Sequence, residues 1–98
     1  MKLLKRAVEV APDSGAANHA LALGYVRMSR VEGALPYFKA ATDRSDALPR
    51  DSFVYAVALE SVGQLDRAIQ VLQQANARWA NQEDLLNLER AYRAKRLQ

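Results

Sequence analysis

Two stretches of the chain carry the same pattern: ALALGYVRMSRVEGALPYFKAAT at 20–42 and VYAVALESVGQLDRAIQVLQQAN at 54–76. Small residues recur at the same places in both stretches, and so do bulky apolar residues. The matched pairs, all with one spacing, are Leu21 and Tyr55, Ala22 and Ala56, Ala34 and Ala68, Phe38 and Leu72, and Ala41 and Ala75. Leu4 and Ala7 extend the register one period toward the N-terminus. A fixed period of about 34 residues indicates a stacked array of helical hairpins.

The chain is expected to be helical throughout, with about six helices separated by short turns rich in glycine, proline and polar residues. Gly63 is expected to end the fourth helix in a left-handed conformation. Asp51 or Ser52 is expected to cap the start of that helix, and Pro36 to lie in or just beyond the first turn of its own helix. The predicted helices cover residues 2–10, 16–28, 33–42, 51 or 52 to about 62, 65–78, and 82 or 83 to about 96.

The bulk composition narrows the function classes without choosing one. The chain has 98 residues, enough for one small domain, and a mild net charge of +3 that does not call for nucleic acid or a membrane surface as a partner. It contains no cysteine, which excludes disulfides, thiolate metal sites and a thiol nucleophile. No apolar run approaches the roughly 20 residues of a membrane span. The composition suits a cytoplasmic and a periplasmic protein equally.

On these residues the chain resembles the tetratricopeptide repeat (TPR) family. The resemblance rests on Leu21-Ala22, Tyr25, Ala34, Phe38 and Ala41 in one unit and on Tyr55-Ala56, Leu59, Gly63, Ala68, Leu72 and Ala75 in the next. It implies an all-α superhelical solenoid in which each unit is an antiparallel pair of helices, A and B. The implied units of this single domain are a half repeat at 1–12, repeats at 15–48 and 49–81, and a terminal helix at 82–98.

The match departs from the family pattern at several positions. Asn18 and Ser52 stand where the family usually has tryptophan, and Asp46 and Ala80 stand where it often has proline. The terminal helix, with Leu85, Leu88 and Tyr92, fits one residue earlier than a strict period predicts. Its charged outer face is typical of a helix that caps a solenoid. The half repeat at 1–12 lacks its hairpin partner, so we expect a fragment of a longer protein, or else coverage of that helix by another chain.

The family resemblance implies that the A helices line a concave groove. Leu23, Val26, Phe53 and Val57 would form its apolar floor and Arg27 and Arg90 its edges, suited to an extended peptide or an amphipathic helix. The alternative is that the apolar residues support neighbouring helices; both interpretations stay open for Val26 and Val57, and the groove is favoured for Phe53. The candidate residues are His19, Leu23, Val26, Arg27, Arg50, Phe53, Val57, Glu60, Leu86 and Arg90, with Ala16 and Arg93 beside them.

No constellation of residues predicts catalysis, a metal or another cofactor. His19 is the only histidine and is expected to be an exposed or half-buried polar residue, since one imidazole does not make a metal site. Trp79 is expected to cover the edge between the fifth helix and the last, although a binding role beside Arg78 stays open. The lysine- and asparagine-rich carboxylate clamp of one TPR subgroup is not reproduced, since His19 and Leu23 stand at its first-unit positions.

The sequence therefore predicts a non-enzymatic module that binds a protein or peptide, with no nucleic-acid partner and no membrane insertion. RNA-reading helical repeats are the nearest rival, but their period is one residue longer and this chain has no basic stripe. The alternative function is a structural or oligomerising segment that associates through its terminal helices, or the tail of a larger protein such as one of the cell envelope. The alanine- and arginine-rich composition favours a bacterial source.

Overall fold

The computed structural model describes residues 15–98, and this part of the chain forms five α-helices without a strand. They are α1 (Gly15–Arg27), α2 (Val31–Asp43), α3 (Pro49–Ser61), α4 (Leu65–Arg78) and α5 (Glu83–Arg96). The all-α prediction is confirmed for these residues. The predicted helix at 2–10, the half repeat at 1–12 and the predicted cap at Asp13 or Ser14 lie outside the described residues.

The five helices form two layers. Each helix packs against the next one along the chain, and α3 also contacts α5. Because the connections at 28–30 and 62–64 are short, each hairpin must reverse direction. His19 of α1 meets Asp51 of α3, whereas residues of α2 and α4 border a common pocket. One layer therefore contains α1, α3 and α5 and the other α2 and α4, in a body that measures 41 × 27 × 16 Å.

The repeated residues of the sequence are the core of the structure. Ala22, Ala34, Ala56 and Ala68 are completely buried, so the helix backbones approach each other closely at these positions. Large side chains fill the space that remains, as in any well-packed core. The largest of these buried side chains belong to Leu21, Phe38, Leu59, Leu72 and Leu85. Burial therefore follows the period that the sequence predicts.

Both hairpin turns end their first helix with the same backbone arrangement. Ser29 has φ 57° and Gly63 has φ 83°, which places both residues in the left-handed region. The residue after each one donates its N–H to a carbonyl five positions earlier, as in a Schellman motif. These bonds run from Arg30 to Tyr25 at 2.8 Å and from Gln64 to Leu59 at 2.9 Å. The prediction of a left-handed Gly63 is confirmed.

Two predicted helix starts were wrong. The α3 helix begins at Pro49, where a proline needs no N–H partner, so Asp51 lies inside the first turn instead of preceding it. Asp51 still stabilises the start of the helix, because its Oδ2 accepts the N–H of Leu48 at 2.8 Å. The α2 helix begins at Val31, so Pro36 is the sixth residue of the helix and lies deeper in it than predicted.

The α5 helix follows the repeat with a slip of one residue. Leu85 is 1% exposed and Leu86 is 43% exposed, so the buried position equivalent to Ser52 comes one residue earlier than the period of the first two units predicts. With the same slip, Glu89 occupies the place of Ala22 and Ala56. The predicted slip is confirmed.

Candidate binding surface on the layer of α1, α3 and α5

The residues predicted for the groove all lie on α1, α3 or α5. Val26, Val57 and Leu86 are 38, 40 and 43% exposed, which is high for large apolar side chains. The side chains of His19, Leu23 and Phe53 are half-buried, and Leu23 and Phe53 pack against the core. Arg27, Arg50 and Arg90 are exposed, and Glu60 is half-buried.

Two adjoining pockets open on this layer, and we refer to them as the paired pockets. The first, of about 290 Å³, lies between α1 and α3 and brings His19, Leu23 and Arg50 together. The second, of about 370 Å³, lies between α3 and α5 and brings Arg50 and Phe53 together above Leu85. Leu48 and Arg50 belong to both pockets. The start of α3 is therefore the wall that the two pockets share.

The remaining predicted residues line neither pocket. Val26, Arg27, Val57, Leu86 and Arg90 are exposed on the same helices but lie away from both concavities. The structure thus gathers His19, Leu23, Arg50 and Phe53 and leaves the other members dispersed along the surface. Arg50 and Phe53 lie in the first half of α3, and the loop residues Asp46, Ala47 and Leu48 complete the first pocket beside His19 and Leu23 of α1.

His19 helps to set the position of α1 against α3. Its Nδ1 lies 3.2 Å from Oδ1 of Asp51, and the two side chains are 22 and 13% exposed. The direction of the contact does not suit a hydrogen bond, since Nδ1 has no hydrogen-bond partner among the described residues. The ring also meets Phe38 edge-on, with 6.1 Å between the centroids. His19 is therefore a half-buried polar residue, as expected, and it contributes one wall of the first pocket.

Arg50 lies where the paired pockets meet, and its charge is unpaired within residues 15–98. Its guanidinium makes no ion pair or hydrogen bond with another residue of 15–98. Glu60 differs, because its carboxylate pairs with the ammonium of Lys95 and so ties α3 to α5. Asp84 adds an acidic group at the far side of the second pocket. The paired pockets thus combine apolar walls with the guanidinium donors of Arg50, which have no partner within residues 15–98.

Leu48, Asp51 and Asp84 belong to this surface but were missed by sequence reasoning. Leu48 is 48% exposed, and its place in the predicted connection at 43–50, directly before a proline, is a sequence signal for an apolar side chain outside the core. For Asp51 the sequence predicts only a role as a helix cap. No feature of the sequence pointed to Asp84.

Arg78 and Trp79 lie away from this surface and have structural contacts. The guanidinium of Arg78 donates to the carbonyl oxygens of Thr42 at 2.9 Å, Arg44 at 2.6 Å and Ser45 at 3.3 Å, all at the end of α2. It also lies 4.4 Å from the centroid of the Trp79 ring, which packs against the core. Trp79 therefore packs at the C-terminal end of α4, and its predicted cover of the edge toward the last helix stays a prediction.

No group of three or more histidine or acidic residues within 15–98 is placed to hold a metal ion. None of the described helices is long and apolar enough to cross a membrane.

Comparisons with known proteins identify no relative. No protein-family model matches the chain, and no curated protein or solved structure is significantly similar to it.

Proposed function

We propose that this chain is a TPR-type superhelical solenoid that acts as a non-enzymatic interaction module and binds a peptide segment of another protein. Three observations support the solenoid: the repeating register of small and bulky residues, the two layers of alternating helices, and the left-handed turn residues at Ser29 and Gly63. In such an array the layer of α1, α3 and α5 is the concave side.

The observation that carries the proposed function is the pair of pockets joined at Arg50. Phe53 offers a half-buried aromatic surface in one pocket, and Leu23 offers an apolar wall in the other. Arg50 stands between them with its donors unused, and a planar guanidinium can hold a carboxylate or a peptide carbonyl through two hydrogen bonds. The surface therefore suits an extended peptide with apolar side chains on both sides of an acidic residue.

Selection from a random peptide library displayed on phage tests this proposal. We expect the purified protein to enrich peptides with an acidic residue between apolar ones, and the Kd of each can be measured by fluorescence polarisation. Phe53→Ser combined with Arg50→Ser should abolish binding while circular dichroism stays near that of the unmodified protein. Enrichment of no peptide, or binding that survives the double substitution in a helical protein, would reject the proposed function.

Charge reversal provides a control that leaves the core intact. Arg50 and Arg67 are both exposed arginines, one on each layer. Arg50→Glu should raise the Kd of the selected peptides by roughly tenfold or more, because loss of a contact of about 1.4 kcal/mol corresponds to a tenfold change in Kd. Arg67→Glu should leave the Kd within about twofold. Equal effects of the two substitutions would show that the peptide responds to net charge alone.

A second candidate function is self-association. It is favoured by the exposed apolar side chains of α5 and the residue after it, since Leu86 is 43% and Leu97 is 87% exposed. Light scattering at high micromolar concentration should then show a dimer that Leu97→Ser returns to monomer. A strict monomer would exclude this candidate and leave the peptide module standing.

A further inference from the structure

A third pocket opens on the opposite side of the molecule, and we refer to it as the rear pocket. It measures about 410 Å³, lies between α2 and α4, and has residues of α3 at its base. Its lining is more polar than apolar and includes Lys39, Asp43, Ser52, Tyr55, Arg67, Gln70 and Gln74. The rear pocket shares no residue with the paired pockets.

The base of the rear pocket contains hydroxyl groups that lack hydrogen-bond partners. Ser52 and Tyr55 line the pocket and are only 1% and 4% exposed as whole residues; neither hydroxyl bonds another residue of 15–98, and both oxygens stay accessible from the pocket. Thr42, in the wall, has a buried Oγ1 that also finds no partner within 15–98. Buried polar groups are almost always hydrogen-bonded. Water or a ligand in the pocket is therefore expected to supply the partner that the protein lacks.

The upper wall of the rear pocket is cationic. Lys39 enters from α2, where its Nζ bonds Asp43 at 2.5 Å, and Arg67 enters from the facing side of α4. The only recorded partner of Arg67 within 15–98 is the side-chain oxygen of Gln64, at 3.4 Å. The amides of Gln70 and Gln74 have no partner among the described residues. The pocket thus presents several unused donors and a local excess of positive charge.

From this arrangement we propose that the rear pocket binds a small oxyanion, a molecule that carries a carboxylate or a phosphate. Arg67 holds the anion from above, and the hydroxyls of Ser52 and Tyr55 donate to it from below. A volume of about 410 Å³ falls within the range of small-molecule sites. This proposal does not depend on the peptide-binding function, because none of the residues it uses lines the paired pockets.

Trp79 makes the proposal directly measurable. It is the only tryptophan of the chain, and it lines the rear pocket beside Arg78. Its fluorescence is followed during titration with inorganic phosphate and, separately, with glutarate, while chloride holds the ionic strength constant. We expect a saturable change with at least one of the two anions. Saturation by phosphate alone identifies a phosphate site, and saturation by glutarate alone identifies a carboxylate site.

Three substitutions show whether the signal comes from the pocket. Arg67→Gln should raise the Kd tenfold or more, and Tyr55→Phe, which removes only the hydroxyl, should raise it several-fold. Arg90→Gln is the matched control, because it removes an exposed arginine of α5 that lines neither the rear pocket nor the paired pockets, and it should leave the Kd unchanged. Circular dichroism confirms that each variant is folded, and Tyr55→Phe keeps the ring that fills the core.

Two results would overturn the proposal. The first is the absence of a saturable fluorescence change with either anion up to about 10 mM, near the weak end of measurable affinity; the hydroxyls then bind only water. The second is an equal Kd for the unmodified protein and for a folded Arg67→Gln variant, which shows adventitious binding elsewhere.

Discussion

Ser29 and Gly63 occupy the same backbone position in successive hairpins, one period apart, and both are left-handed, with φ of 57° and 83°. In each turn the following N–H returns to the carbonyl five residues earlier. The repeat is therefore present in the hydrogen bonds of the backbone as well as in the side chains of the core. The two turns differ in one respect that can be measured, since only one of them has glycine.

Replacing Ser29 with glycine should stabilise the protein. A side chain in the left-handed region destabilises the folded state by about 1–2 kcal/mol, and glycine avoids this strain. Glycine also has more conformational freedom in the unfolded chain, which offsets about 0.5–1 kcal/mol of the gain. We expect Ser29→Gly to raise the free energy of unfolding by about 0.5–1 kcal/mol. Urea denaturation should show a higher midpoint with an unchanged slope.

Gly63→Ser is the reciprocal substitution. A Cβ at Gly63 would meet no atom within 4 Å, so the backbone conformation is the source of any cost. The midpoint should fall by an amount similar to the gain at Ser29. A decrease on Ser29→Gly, or no change in either variant, would contradict the equivalence of the two turns.

Adjacent leucines test the one-residue slip at α5. Leu85 is buried beneath α4 and Leu86 is exposed, so truncation of the first should be far more costly. We expect Leu85→Ala to lower the free energy of unfolding by about 2–4 kcal/mol and Leu86→Ala by no more than about 0.5 kcal/mol. Thermal unfolding followed by circular dichroism measures both. The reverse order would mean that α5 keeps the strict period.

Removal of the Arg78 guanidinium should weaken the packing between the two hairpins and so destabilise the protein. Its donors reach three carbonyl oxygens at the end of α2 and its face lies on Trp79. Arg78→Ala should cost about 1–2 kcal/mol of unfolding free energy, and Arg78→Lys should recover little, because one ammonium does not span the three oxygens. Arg90→Ala, which removes an exposed arginine without a recorded partner in 15–98, is the control. Equal losses from the two alanine variants would argue against a bridging role for Arg78.

Glu89 should make stability depend on pH in the acid range. Burial works against ionisation of Glu89, but hydrogen bonds from Asn76 Nδ2 at 2.7 Å and Arg93 Nε at 2.7 Å outweigh it, so the pKa lies below the ordinary value of 4.5. Because the pKa of Glu89 is lower in the folded state than in the unfolded state, the ionised side chain stabilises the protein at pH values above its unfolded pKa. This stabilisation is lost as the pH falls through the folded pKa.

The Glu89→Gln variant isolates that contribution. Below about pH 4.5 the unmodified protein should lose more unfolding free energy than Glu89→Gln does, because glutamine has no proton to gain. Urea titrations from about pH 6 to about pH 3 provide the comparison. Parallel curves for the two proteins would show that the Asn76 and Arg93 contacts do not favour the ionised form.

The period of the sequence was sufficient to predict the helical core. Ala22, Ala34, Phe38 and their partners in the next unit are all buried, because close helix packing requires small and large residues at fixed places. It was also sufficient to predict Gly63, since glycine adopts a left-handed turn at no steric cost. The slip at α5 could be predicted because Leu88 and Tyr92 stand one residue before the strict apolar positions, which Glu89 and Arg93 occupy instead.

Contacts between distant residues could not be predicted in this way. The reach of Arg78 to the carbonyl oxygens of 42–45 and the meeting of His19 with Asp51 depend on how the hairpins stack, which no local pattern encodes. Ser29 was not recognised as left-handed, because serine does not favour that region. The predicted groove was also broader than the paired pockets, because the stacking of the hairpins decides which residues line a pocket. A helix register assigns residues to a face, but only packing decides where that face is concave.

The central claim is that a peptide binds the layer of α1, α3 and α5, and chemical-shift mapping tests it most directly. Backbone amide spectra of the ¹⁵N-labelled protein are recorded with and without a peptide selected from the library. The account predicts that the largest shifts fall on residues 48–53 and on the facing turns of α1 and α5, with α2 and α4 little changed. Shifts concentrated on α2 and α4 would contradict it.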